Sequence, residues 1–180
     1  MERFLNNIDQ EEPVRFSPEQ LGQITNNNTT VLGSGAFGEV CKSELSNGQQ
    51  VAVKVLKSLD PGTEEQFKAE VSTIGRTYHI NVVTLYDFCS HRDKRALIYE
   101  FVQNGSLNNL LFGSLSTEIQ CGKLHEIAIG TAKRIDYSHE ECQQRVILYA
   151  IKPENILLGL NLEPQVADFG LPVCLVNKPF

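Results

Sequence analysis

Nowhere in its 180 residues does the chain hold a run of about 18 apolar residues. Its opening stretch, MERFLNNIDQEEP, has no apolar core of the length a secretory leader needs. Both absences predict a cytoplasmic chain with no direct membrane insertion. Basic charge is scarce as well. Sixteen lysines and arginines face 22 aspartates and glutamates, giving a net charge of −6 and a pI near 5.2. Without a basic block, binding to nucleic acid or to an anionic membrane surface is not expected. No C-x-x-C pair occurs, and the five cysteines (Cys41, Cys89, Cys121, Cys142, Cys174) are odd in number and widely scattered. That usage fits reduced thiols and argues against a disulfide frame or a zinc site. Asn-x-Ser/Thr triplets at Asn28 and Asn104 are then chance matches. Internal repeats and low-complexity tracts are also missing. What remains is 41% hydrophobic and 21% charged, the composition of a soluble globular chain.

Residues 1–15 read as a polar, acidic lead-in. Ser17-Pro18-Glu19 signals a short helix with Ser17 as N-cap, stopping before Asn26-Asn27-Asn28. Three strands are predicted near 30–33, 38–45 and 49–56, the last two joined at Asn47-Gly48, a strong hairpin signal. Asp60-Pro61-Gly62 breaks the chain. Thr63 with Gln66 suggests a capping box for a helix over about 63–76, on which Phe67, Val71 and Ile74 recur at helical spacing. Strands are expected near 82–89 and 95–101, a turn at Gln103-Asn104-Gly105, and a short helix from Ser106 to Phe112. A longer helix over 122–140 places Leu124, Ile127, Ala128, Thr131, Ala132 and Ile135 on one face. Short strands close the pattern near 155–159 and 164–167. The order is a strand-rich half over 30–102 and a helical half over 103–180, an α+β architecture, with the seam near 102–105.

Gly33, Gly35 and Gly38 in LGSGAFGEV fit G-x-G-x-x-G. A dinucleotide fingerprint opens a helix after its last glycine. Here Gly38 runs into Glu39-Val40-Cys41-Lys42 and an Asn-Gly hairpin, which is strand chemistry. Glycines between two strands let backbone N–H groups approach phosphate oxygens without a Cβ in the way. A ligand-free glycine-rich hairpin is the plainer alternative. On the next strand, alternation sets Val51 and Val53 on one face and Ala52 and Lys54 on the other. The Lys54 ammonium on the phosphate side can hold nucleotide phosphates; the alternative is a solvated strand lysine. Glu70, on the following helix beside its buried stripe, is the candidate partner that would set the ammonium.

These residues resemble the protein kinase family. The set is GSGAFGEV, VAVK, the Glu70 helix, ALIYEFVQNGSL, LYAIKPENILL and ADFG at 167–170, six ordered elements at suitable separations. Finer wording, FKAEVSTIGRTYHINVVTLYDFC and GTAKRIDYSHEECQQRVI, is similar to plant receptor-like serine/threonine kinases of the leaf-rust-resistance and S-domain types. The resemblance covers about residues 14–175. It implies a five-stranded N-lobe with one helix, an incomplete helical C-lobe, and ATP with Mg2+ as cofactors. Leu32, Gly33, Ser34, Gly35 and Gly38 would cover the triphosphate, and Lys54 would contact its α- and β-phosphates while paired with Glu70. Val40, Ala52 and Leu157 would sandwich adenine. Tyr99 takes the gatekeeper position, and backbone groups of Glu100 and Val102 would meet the adenine edge. Asn155 and Asp168 would hold magnesium, and Lys152 would face the transferred phosphate.

Two departures bear on activity. The family pattern His-x-Asp-x-Lys-x-x-Asn falls on 148–155, where this chain has Leu148 and Ala150 in place of histidine and aspartate. The aspartate orients the substrate hydroxyl and takes its proton; losing a general base costs roughly 10²–10⁴ in rate. The second departure is that the pattern stops shortly after Gly170. The activation segment and later helices, which cover the apolar face of the 122–140 helix, have no counterpart here. The expectation is a receptor-like pseudokinase that binds Mg·ATP. The alternatives are a weakly active serine/threonine kinase, a non-enzymatic interaction or decoy module bound to a full-length relative, and an unstable fragment.

Overall fold

A computed structural model describes residues 16–26, 30–35, 38–58, 60–74, 83–92, 94–113, 119–140, 144–147, 151–167 and 174–177. The chain divides into two compact units. The first runs to Arg76 and includes Thr84–Phe101; the second comprises Thr77–Val83 and Val102–Phe180.

The first unit opens with helix α1 (Pro18–Asn26). Its cap is reciprocal: the Gln20 N–H donates to Ser17 Oγ at 3.2 Å, and the Ser17 N–H donates to Gln20 Oε1 at 2.8 Å. The strands β1 (Thr30–Ser34), β2 (Gly38–Glu44), β3 (Gln50–Leu56), β4 (Leu85–His91) and β5 (Lys94–Glu100) form one antiparallel sheet in the order β1-β2-β3-β5-β4. Asn47-Gly48 makes the β2–β3 turn, with Gly48 at φ +83°, where a side chain would be strained. Val51 and Val53 pack with Ala96, Ile98 and Cys89 against Leu21 and Ile24 of α1, so the segment before β1 helps build the core. Burying a Leu or Ile side chain contributes about 1.5–3 kcal/mol.

Helix α2 (Pro61–Ile74) lies between β3 and β4 in sequence. Its cap differs from the expected Thr63–Gln66 box. The Asp60 carboxylate accepts the Thr63 N–H at 3.0 Å and the Thr63 hydroxyl at 2.8 Å, and Ser58 Oγ also donates to it. Pro61 then sits at the first helical position, where a missing N–H costs nothing. Phe67 (1% exposed) meets Phe88 edge-on, ring centroids 6.0 Å apart. Arg95 of β5 donates from Nε to Glu64 Oε2 at 3.0 Å and lies 5.7 Å from the centre of the Phe67 ring.

In the second unit, Gly105 (φ +66°) ends a turn and Ser106 caps helix α3 (Leu107–Phe112). Helix α4 (Cys121–Glu140) follows. Its predicted apolar face is narrower than expected: Ile127 and Thr131 are buried and Leu124 and Ile135 half-buried, but Ala128 and Ala132 are exposed. Gly130 has a packing reason, since a Cβ there would lie 2.8 Å from Pro164 Cγ. The short strands β7 (Ile156–Leu158) and β8 (Pro164–Val166) pair antiparallel, with Leu162 at φ +59° in their turn. A pairing that the sequence did not predict joins β6 (Gln144–Ile147) to β9 (Cys174–Asn177). Among the described residues, no helix is long and apolar enough to cross a membrane.

Candidate functional site

Strand register brings the first unit's candidate residues together. Val40 is paired with Lys54, and Ala52 with Tyr99, so all four share one face of the sheet. Lys54 is 3% exposed and Glu70 is fully buried; their Nζ and Oε1 lie 2.8 Å apart. This is the expected ion pair, carried from β3 to α2. Two further donors reach the same carboxylate. Gln66 Nε2 donates to Glu70 Oε1 at 3.1 Å, and the Tyr99 hydroxyl donates to Glu70 Oε2. A charge withdrawn from water is tolerable only when its lone pairs are satisfied, and here both oxygens are occupied. The sequence reading placed Tyr99 and Glu70 without joining them and gave Gln66 no role beyond a cap. The available signal for Gln66 was its position one helical turn before Glu70.

The glycines differ in purpose. A Cβ on Gly38 would sit 2.4 Å from the Val55 carbonyl oxygen, so the sheet itself requires glycine there. At Gly33 and Gly35 a Cβ would meet no atom within 4 Å among the described residues beyond its chain neighbours, which leaves room for a close backbone approach. The Gly35 N–H donates to the Gly38 carbonyl at 2.9 Å and closes the turn; residues 36 and 37 lie outside the described set. Lys57 Nζ donates to Ser34 Oγ at 2.8 Å, tying the loop's first strand to the end of β3. Leu32 is 43% exposed. The Glu100 N–H is engaged by the Thr84 carbonyl at 3.0 Å.

The second unit holds the remaining candidates. Lys152 is exposed, and its carbonyl accepts the Asn155 N–H at 2.9 Å in a single 3-10 turn. Asn155 is 9% exposed, and its carbonyl accepts the Ala167 N–H at 2.8 Å. The backbone of the metal candidate Asn155 is thereby joined to the residue preceding Asp168. Leu157 is half-buried and Val102 is buried. Asp168, Ala150 and Leu148 lie outside the described residues. Among the described residues no group of three His, Cys, Asp or Glu could hold a metal ion. An amide oxygen and a carboxylate are a donor set that suits Mg2+ completed by phosphate oxygens; of the two candidates, Asn155 alone is among the described residues.

Comparison with known proteins agrees with the motifs. The family model for the protein kinase domain matches residues 27–179. Leaf rust 10 disease-resistance locus receptor-like protein kinase-like 2.4 of Arabidopsis thaliana is 45% identical over 87% of this chain and 25% of its own length. The PR5-like receptor kinase of the same plant is 41% identical over 91% of this chain and 25% of its own. Rust resistance kinase Lr10 of Triticum aestivum is 41% identical over 95% of this chain and 27% of its own. The chain thus spans about a quarter of the length of these relatives. With the glycine loop and strand lysine on one sheet, the helix glutamate paired to that lysine, and this coverage, the chain belongs to the protein kinase family, as a kinase domain of the plant receptor-like type.

Proposed function

We propose that this kinase domain binds Mg·ATP and transfers its γ-phosphoryl group poorly, as a pseudokinase on the cytoplasmic side of any membrane. The observation that carries the binding half is the Lys54–Glu70 pair: a buried ammonium, fixed at 2.8 Å by a carboxylate, on the sheet face below the open glycines. Bound Mg·ATP would supply an activated phosphoryl group. The chain's part is to neutralise and orient it. Lys54 supplies positive charge to the phosphates, Gly33 and Gly35 allow backbone N–H groups to approach them, and Asn155 and Asp168 supply oxygen ligands for Mg2+. The transfer half rests on sequence: Ala150 stands at the proton-acceptor position and offers no acceptor. The ordered Lys152–Asn155 turn favours a second reading, weak residual kinase activity.

A thermal melt with Mg·ATP tests binding. At about 100 times Kd, a ligand adds roughly 2.7 kcal/mol, which is several degrees for a chain of this size. The shift should vanish in Lys54→Met, read against that variant's own baseline. An unchanged melting temperature in millimolar Mg·ATP refutes the binding half.

A further inference from the structure

Glu70 needs only one partner to pair with Lys54, yet it has three. Its Oε1 is shared between Lys54 Nζ at 2.8 Å and Gln66 Nε2 at 3.1 Å, and its Oε2 takes the Tyr99 hydroxyl. Gln66 is 6% exposed, on the buried side of α2, one turn before Glu70. It reaches the oxygen that holds the ammonium, not the other one. The geometry points to Gln66 as a positioning residue for nucleotide binding, acting through Glu70 to hold Lys54 where phosphates can meet it. This rests on the reading that the domain binds Mg·ATP.

The chemistry favours an amide at this place. A carboxylate oxygen accepting from a single ammonium can rotate toward it and draw on more than one of its N–H bonds. A second donor on Oε1, with Tyr99 on Oε2, fixes the plane of the carboxylate. Lys54 then meets Glu70 along one direction. The amide is neutral, so it adds no charge to compete with the phosphates. A carboxylate in its place would do the reverse, because two such groups beside one ammonium cannot both ionise without cost.

The test uses the whole chain with two substitutions. Gln66→Met keeps the bulk and removes the donor. Gln66→Glu keeps the shape and makes the donor depend on protonation. Mg·ATP affinity is measured by calorimetry from pH 6 to 8.5, well below each variant's melting temperature, and expressed as a ratio to wild type. Gln66→Met should weaken binding roughly three- to tenfold at every pH, the size of one ordinary net hydrogen bond, because only part of the lost Gln66–Glu70 bond is felt at the ligand. Gln66→Glu should approach wild type at low pH, where the introduced carboxyl carries a proton and can donate, and weaken progressively as pH rises. A residue that only packs the helix would lower the melting temperature while leaving the ratio near one at every pH in both variants. A flat ratio near one in both variants overturns the inference.

Acylation of the Lys54 amine, read by peptide mass spectrometry without nucleotide, supplies an independent arm. Reactivity should fall at least about threefold in Gln66→Met, as the Glu70 carboxylate turns fully onto the ammonium and holds its proton harder. If wild type binds no Mg·ATP but this fall occurs, the nucleotide reading fails and the positioning of Lys54 by Gln66 stands. Unchanged reactivity removes the positioning role whatever the nucleotide result.

Discussion

Asp87 on β4 is 4% exposed, and its carboxylate accepts the N–H of Phe88 at 2.6 Å. Burial pushes its pKa up to about 7, with that hydrogen bond pulling the other way. In the unfolded chain an aspartate titrates near 3.9. Between these values the unfolded state has released a proton that the folded state keeps, so stability falls as pH rises from about 4 to about 7 and then levels. Asp87→Asn should flatten that slope, raising stability at pH 8 by an amount on the order of 1–3 kcal/mol while leaving pH 4 nearly unchanged; urea titrations at the two pH values check this. Lys54→Met has the opposite character. It strands a buried carboxylate, a loss usually of about 3–5 kcal/mol, and the donors Gln66 and Tyr99 should keep it near the lower figure in a urea titration at neutral pH. The ion pair was legible in sequence because a strand lysine on the glycine-loop face and a glutamate on the next helix have one sensible arrangement. The contact of Gln66 was signalled only by its place one turn before Glu70; which oxygen it reaches depends on the space left around that carboxylate.

At the scale of elements, helix α2 is held at its start by Asp60 and along its length by Glu64–Arg95 and Glu70–Lys54. Hydrogen bonds from Ser58 and then from the backbone and hydroxyl of Thr63 hold the Asp60 carboxyl at about 2, below its ordinary value. Its support is therefore complete above about pH 4 and lost as pH falls through 2. Asp60→Ala should lower the melting temperature at pH 7, with faster amide exchange confined to the first turn of α2, and the difference from wild type should shrink at pH 2. The sequence reading took Asp60-Pro61-Gly62 as a break and capped the helix at Thr63; Pro61 was the overlooked signal, since proline favours the first helical position, which puts the cap at Asp60. Strand limits came within a residue or two, except that β4 begins at Leu85 rather than near residue 82. The β6–β9 pair escaped because two four-residue segments so far apart in sequence advertise no partner. The glycine loop yields a contrast. Gly38→Ala forces a methyl group against the Val55 carbonyl and should cost about 1–3 kcal/mol, whereas Gly33→Ala should fold normally. Melts of the two variants decide it.

For the whole molecule, the prediction concerns phosphoryl transfer. Wild-type incorporation of radiolabel from γ-labelled ATP should lie roughly 10²–10⁴-fold below that of Ala150→Asp, the span attributed to a general base. Label at an ordinary kinase rate in wild type, abolished by Lys54→Met, would reject the pseudokinase reading. Fold class was readable at this scale because six motifs in a fixed order constrain topology more than any one helix or strand does. The chemistry was readable as an inventory but not as an outcome. Ala150 states what is missing, while the Lys152–Asn155 and Asn155–Ala167 hydrogen bonds join the segments that follow it in sequence.

The turn between β7 and β8 holds Leu162 in the left-handed region, where a branched side chain crowds its own carbonyl. Glycine at that position would relieve about 1–2 kcal/mol of strain, offset by about 0.4–1 kcal/mol for the freer unfolded chain, without touching Lys54, Gln66 or Asn155. Leu162→Gly is thus a built-in calibrator: a variant with a raised melting point and unaltered ligand chemistry, against which a genuine nucleotide-induced rise can be told from mere thermal robustness.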